Sequence, residues 1–141
     1  MTPRPEVGAR REVVVCPEIT RTQIVQFAGA SGDYSVLHTD EPAARALGQP
    51  GLMAHGMLTM GLTSQVVTEW FGDDSLRTLE ARFTAPVWPG DRLTSTATVE
   101  AVDSVGALAT ARLALETRNG AGDVVLVGKA TVSLDYSPRL A

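Results

Sequence analysis

The stretch HGMLTMGLTSQVVTEWFG, residues 55–72, constrains the fold more than any other part of the chain. It is the longest segment that reads as helix. Its middle is apolar on nearly every side, through Met57, Leu58, Met60, Leu62, Val66, Val67, Trp70 and Phe71. A helix that apolar belongs inside a protein, not on its surface. About 16 residues at about 1.5 Å each make a rod of about 24 Å. The rest of the chain must wrap that rod.

The wrapping material follows directly. LRTLEARFTAPV (76–87), DRLTSTATVEAV (91–102), ALATARLALETR (107–118) and DVVLVGKATVSLDY (123–136) read as strands, with clear alternation in LTSTATVEAV and TARLALETR. WPGD, DSVG and RNGAGD between them are turn compositions. The last three strands are therefore expected to form consecutive antiparallel hairpins. A curved antiparallel sheet around a central helix is the simple steric solution, an α+β fold. Ala, Ser and Thr take up much of these strands, and Gly61 and Thr63 permit close approach on the helix. A second copy pairing at a sheet edge is expected to complete the core, since an open edge is otherwise a liability.

Upstream, REVVVC (11–16) reads as a short strand, with residues 1–10 expected to be loose. Thr20 and Gln23 form a capping box, Ile24, Phe27 and Ala28 follow at helical spacing, and the 29–32 region ends that helix. Asp40 can cap a second short helix, EPAARALG, with Pro42 in its first turn and Gly48 at its end.

At 141 residues, 44% of them hydrophobic, the chain suits one domain (1–141) with a real core. A net charge of -4 with no basic block argues against nucleic acid as partner. The lone Cys16 excludes an intrachain disulfide and reads as a buried strand-end residue. MTPRPEVGAR lacks the pattern of a signal peptide, and no apolar run reaches the roughly 20 residues of a membrane helix. A cytoplasmic protein is the expectation, with no membrane partner.

Against this background GDYSVLHTD, residues 32–40, stands out. It holds two carboxylates and one of only two histidines. The other histidine, His55, opens the long helix. Asp33 could simply cap a turn, and a lone His38 could be structural. Together they are groups able to exchange protons near neutral pH, placed beside a helix N-terminus whose N–H groups and dipole favour developing negative charge. His55 reads as structural, holding the loop that meets the helix. Met53, Met57 and Met60 read as core or pocket lining. Arg82, Arg92, Arg112 and Lys129 are placed on strands, mostly on the solvated face.

GDYSVLHTDEPAARALGQPGLMAHGML strongly resembles the hydratase motif of the MaoC-like (R)-specific enoyl-thioester hydratases and 3-hydroxyacyl-thioester dehydratases. FTAPVWPGDRL (83–93) resembles another segment recurrent in that family. The resemblance runs from about residue 12 to 135 and looks closest to the small members with a single hot-dog domain. It implies a hot-dog fold, usually dimeric, and a hydro-lyase acting on acyl-CoA or acyl-carrier-protein thioesters, with no cofactor or metal. The homodimer, or a heterodimer with another hot-dog subunit, is the implied assembly. Carried over residue by residue, Asp33 and His38 become the catalytic dyad that handles water and protons. Gly56 matches the glycine whose N–H polarises the thioester carbonyl, and Ser64 matches a serine that hydrogen-bonds near the dyad. The chain departs from the family at Ser35-Val36, where Asn-Pro is usual.

Other readings compete. His38-Thr39-Asp40 has the H-x-D form of a metal triad, with His55 as a third ligand. A hot-dog thioesterase would share the fold but needs a working carboxylate on or beside the central helix, and Glu69 is the one acidic residue well inside it. A non-catalytic partner subunit would have no need of both Asp33 and His38.

Overall fold

The computed structural model describes residues 4–135. Five strands, β1 (Arg10–Cys16), β2 (Leu76–Phe83), β3 (Leu93–Val105), β4 (Leu108–Arg118) and β5 (Val124–Ser133), form one sheet in the order β1-β3-β4-β5-β2. Every neighbouring pair is antiparallel. β3-β4 and β4-β5 are the hairpins that the turn compositions foretell. The flanking pairs, β1 with β3 and β2 with β5, join segments distant in the chain.

Four helices lie between β1 and β2. α1 (Arg21–Ser31) starts at Thr20, whose side chain accepts from Gln23 N–H while Gln23 returns a bond to the Thr20 backbone. It stops at Gly32, whose φ of 76° is left-handed and costs a residue without Cβ little. α2 (Val36–Thr39) is a single turn capped by Ser35, and α3 (Glu41–Ala46) is capped by Asp40. α4 (Gly56–Phe71) is the long helix, one residue in from each end of the stretch 55–72, because His55 is its N-cap and Gly72 its C-cap.

α4 lies on the sheet through Thr59, Thr63, Val66 and Val67, which are buried. Val66 and Val67 pack with Val99, Leu113 and Val132 from three strands. A hydroxyl chain crosses the same interface. Thr63 donates to the Thr59 carbonyl at 2.9 Å, its oxygen lies 2.7 Å from the Thr117 hydroxyl, and that hydroxyl lies 2.6 Å from Ser95. These buried polar groups satisfy one another, which removes the desolvation penalty they would otherwise carry.

The sheet covers one face of α4, and Met57 on another face is 57% exposed. Several element bounds are corrected. β2 ends at Phe83, four residues before its expected end, ahead of a stretch that holds Pro86 and Pro89, which have no N–H for a ladder. Arg92 precedes β3 and does not lie on a strand. Of the N-terminal ten, residues 1–3 fall outside the described ones, but Gly8 N–H donates to Val99 O and Val99 N–H to Ala9 O, tying that end to β3. Residue 136, at the end of the last expected strand, also falls outside. Cys16 is buried at the end of β1.

Candidate active site

Asp33 follows the left-handed Gly32 that ends α1, so the chain turns sharply to present it. Its Oδ1 accepts from Ser35 N–H at 3.2 Å, an Asx-type turn that orients the carboxylate. Ser35 then caps α2, and His38 sits in that turn. His38 is therefore on a helical turn. Four residues carry too little periodicity to read from sequence. Val36 takes the first helical position, where proline is favoured but not required, so the turn forms without the usual Asn-Pro.

The His38 ring is pinned. Its Nδ1 donates to the Met53 carbonyl at 2.7 Å, which leaves Nε2 as the acceptor of the neutral ring. Nε2 faces Asp33 Oδ2 at 3.8 Å. That gap is too long for a direct hydrogen bond, yet one water oxygen could touch both atoms at about 2.8 Å. The His38 side chain is 12% exposed and that of Asp33 53%, so the pair has one buried and one open member.

Gly56 opens α4. As the first helical residue its N–H has no intrahelical acceptor. A Cβ here would lie 2.8–3.0 Å from ring atoms of Phe83, so only glycine lets that ring rest on the helix start. Gly56 and Phe83 line a cleft of about 420 Å³ together with Met53, Thr59, Ala85 and Val125. Met53 thus joins dyad and cleft, since its carbonyl holds His38 while the residue lines the cavity. The Phe83–Val87 half of FTAPVWPGDRL forms the facing wall.

Of the residues singled out, Asp33, His38 and His55 come together, and Gly56 directly follows His55. Ser64 lies two turns further along α4, and its hydroxyl donates to the Gly61 carbonyl at 2.6 Å. The Met53 carbonyl and Phe83 were missed. A backbone acceptor leaves no mark in a sequence, and the contact of Phe83 with Gly56 is a product of tertiary packing.

Asp33, His38 and His55 each offer one ligand-type atom within 4.8 Å of the others, so a metal reading shifts from Asp40 to Asp33. Asp40 is committed to capping α3, accepting from Ala43 N–H at 3.0 Å. The two imidazoles stack, with centroids 3.9 Å apart and planes at 24°. In-plane lone pairs of stacked rings run side by side and do not converge on one ion. The cluster suits proton handling. Glu69 is paired with Arg11 at 3.9 Å in the last turn of α4, at the opposite end from the cleft.

The family described as the MaoC like domain matches residues 3–119. The chain belongs to that family. It is 35% identical over 116 residues to an (R)-specific enoyl-CoA hydratase of Rhodospirillum rubrum, a match covering 81% of this chain and 78% of that one. A solved MaoC-like dehydratase from the same organism superposes with a TM-score of 0.79 at 27% identity, covering 95% of each chain. An (R)-hydratase from A. caviae superposes with a TM-score of 0.82, covering 94% of this chain and 99% of that one, and at 24% identity it speaks for the hot-dog fold alone. The chain spans between 6% and 79% of the length of other curated relatives it matches, and less than two thirds of most of them. No helix among the described residues is long and apolar enough to cross a membrane.

Proposed function

We propose that this MaoC-like chain catalyses the reversible hydration of trans-2-enoyl thioesters to (3R)-hydroxyacyl thioesters. The observation that carries this reading is the pair Asp33 Oδ2 and His38 Nε2, 3.8 Å apart beside the N-terminus of α4. Water between them attacks C3 as the pair takes one of its protons. The C2–C3 π electrons move toward the carbonyl, and enolate charge builds on the thioester oxygen. The Gly56 N–H, at the positive end of a 16-residue helix, is the donor for that charge. A proton from the pair then closes the C2–H bond, so that one water has been added. Dehydration is the same path reversed. The two groups act as a coupled unit, so the base is assigned to the pair and not to one member.

The acyl arm enters by the Phe83 cleft, as a CoA or carrier-protein thioester. The (3R) outcome rests on the family and on the relative named as (R)-specific. A homodimer, or a dimer with another hot-dog subunit, is the proposed assembly. A thioesterase has less support, because Glu69 lies at the far end of α4.

The test is loss of the enoyl-thioester absorbance on adding protein to a short trans-2-enoyl-CoA, with chiral analysis of the product. Hydration with a (3R) product is expected. Release of free thiol without hydration would overturn the reading in favour of a thioesterase.

A further inference from the structure

We infer that His55 is the positioning residue of the dyad, acting through its ring on His38 and through its Nε2–H on Asp33. The inference rests on the hydratase reading of those two residues. His55 is 1% exposed. Its ring stacks on His38 at 3.9 Å between centroids, and its Nε2 donates to the Asp33 carbonyl at 3.0 Å. Phe27 closes another side at 4.8 Å, its ring inclined by 57°. The His55 carbonyl accepts from Leu58 and Thr59 N–H in the first turn of α4. One residue thus touches the backbone of Asp33, the ring of His38 and the turn that presents Gly56.

Neither of the plain structural roles explains a histidine here. As the N-cap of α4 its side chain makes no capping bond, whereas Ser, Thr, Asp or Asn would. As a buried packing ring it leaves Nδ1 without a hydrogen-bond partner, a cost that phenylalanine would avoid. Histidine supplies both a flat ring for His38 and an N–H for Asp33 in a ring small enough for this buried place. The two rings hold opposite tautomers, because His38 donates from Nδ1 and His55 from Nε2. That leaves Nε2 of His38 directed at Asp33. A local loss of stability at such a point is what a functional constraint looks like.

Two variants separate the parts of this role. His55→Phe keeps a ring and loses the donor, while His55→Gln keeps a donor and loses the ring. In steady-state hydration, His55→Phe is expected to leave KM within about twofold and lower kcat by roughly 10- to 100-fold, the scale of a misplaced catalytic group. His55→Gln should recover part of that loss. Normal kcat in a folded His55→Phe protein, or a change confined to KM, would overturn the inference. If His55→Phe does not fold, His55→Gln decides, since a wild-type kcat there would exclude a role for the ring. A second readout does not depend on turnover. The chain has two histidines, so nitrogen-15 spectra of His55→Phe contain one imidazole, that of His38. Its Nδ1–H is expected to persist, because the Met53 carbonyl holds it, while its Nε2 shift moves as Asp33 is displaced; an unchanged Nε2 shift would overturn the positioning role. Wild-type protein that fails to hydrate any enoyl thioester would overturn the function proposed above, leaving the spectra to judge His55 on their own.

Discussion

The residues that matter most at the site differ in how they can fail. Asp33→Asn keeps the shape of Asp33, including an oxygen able to accept from Ser35 N–H, but cannot take up a proton. His38→Ala removes its partner and frees the Met53 carbonyl. Placed proton transfer is typically worth about 10²–10⁴ in rate, so each variant should lose at least roughly a hundredfold in hydration. The double variant should be little worse than either single one, because the pair acts as a unit. Normal turnover by Asp33→Asn, or additive losses, would argue that the pair does not share one water. Gly56 fails differently. Gly56→Val must displace the Phe83 ring, which is 46% exposed and therefore free to swing, so the helix should survive while the cleft mouth is reshaped. Circular dichroism should stay near wild type while kcat/KM for hydration falls. A folded Gly56→Val enzyme with normal kcat/KM would remove Gly56 from the oxyanion role.

The helices show what could be read ahead and what could not. The Thr20–Gln23 box, a stop within residues 29–32 and the Asp40 cap were legible, because capping is written in side chains within a few residues of one another. α2 was not legible, since one turn has no period. Its geometry now makes a prediction. Ser35 has φ -51° and ψ 138°, clear of the α region that a following proline disfavours, and Val36 is at the first helical position. Val36→Pro should therefore stabilise the protein by about 0.4–1 kcal/mol, mainly by restricting the unfolded chain. Thermal melting checks this, and a loss of stability would mean that the turn needs more than a fixed φ. α1 and α3 are tied by Arg21, which bonds Glu41 at 3.0 and 3.1 Å, and Arg45 joins them at 3.2 Å. The Arg21 hydrogen bond, with the nearby positive charges, holds the Glu41 carboxyl below its ordinary range against a desolvation that raises it. A lowered carboxylate stabilises the fold above its unfolded value, about 4.3, and that contribution is lost as pH falls through the lower folded value. The melting-temperature gap between wild type and Glu41→Gln should accordingly be small at pH 7, shrink with added salt, and close in acid once the pH has fallen through the lowered folded value. A gap that widened in acid would contradict the sign.

At the scale of the molecule, alternation and turn chemistry made the strands readable, and the hairpins followed. The order β1-β3-β4-β5-β2 was not readable, because β1 and β2 attach to distant partners with no local signal. The same long-range gap hid how α4 is covered. Its sequence is apolar nearly all round, yet this sheet buries only the Thr59, Thr63, Val66 and Val67 face. Met57 stays exposed, Phe83 stays exposed beside Gly56, and β1 and β2 each leave one edge of the sheet open. Exposed apolar side chains next to open edges are what a partner subunit covers in an oligomer. A second copy of the chain supplies both an edge and an apolar surface, which a small ligand in the cleft does not. The protein should therefore run as a dimer, with twice the monomer mass by light scattering at micromolar concentration. Its melting temperature should rise with protein concentration, since binding to the folded state alone stabilises that state. A monomer mass with a concentration-independent melting temperature would show that these surfaces await another hot-dog subunit or none, and the homodimer would have to be abandoned.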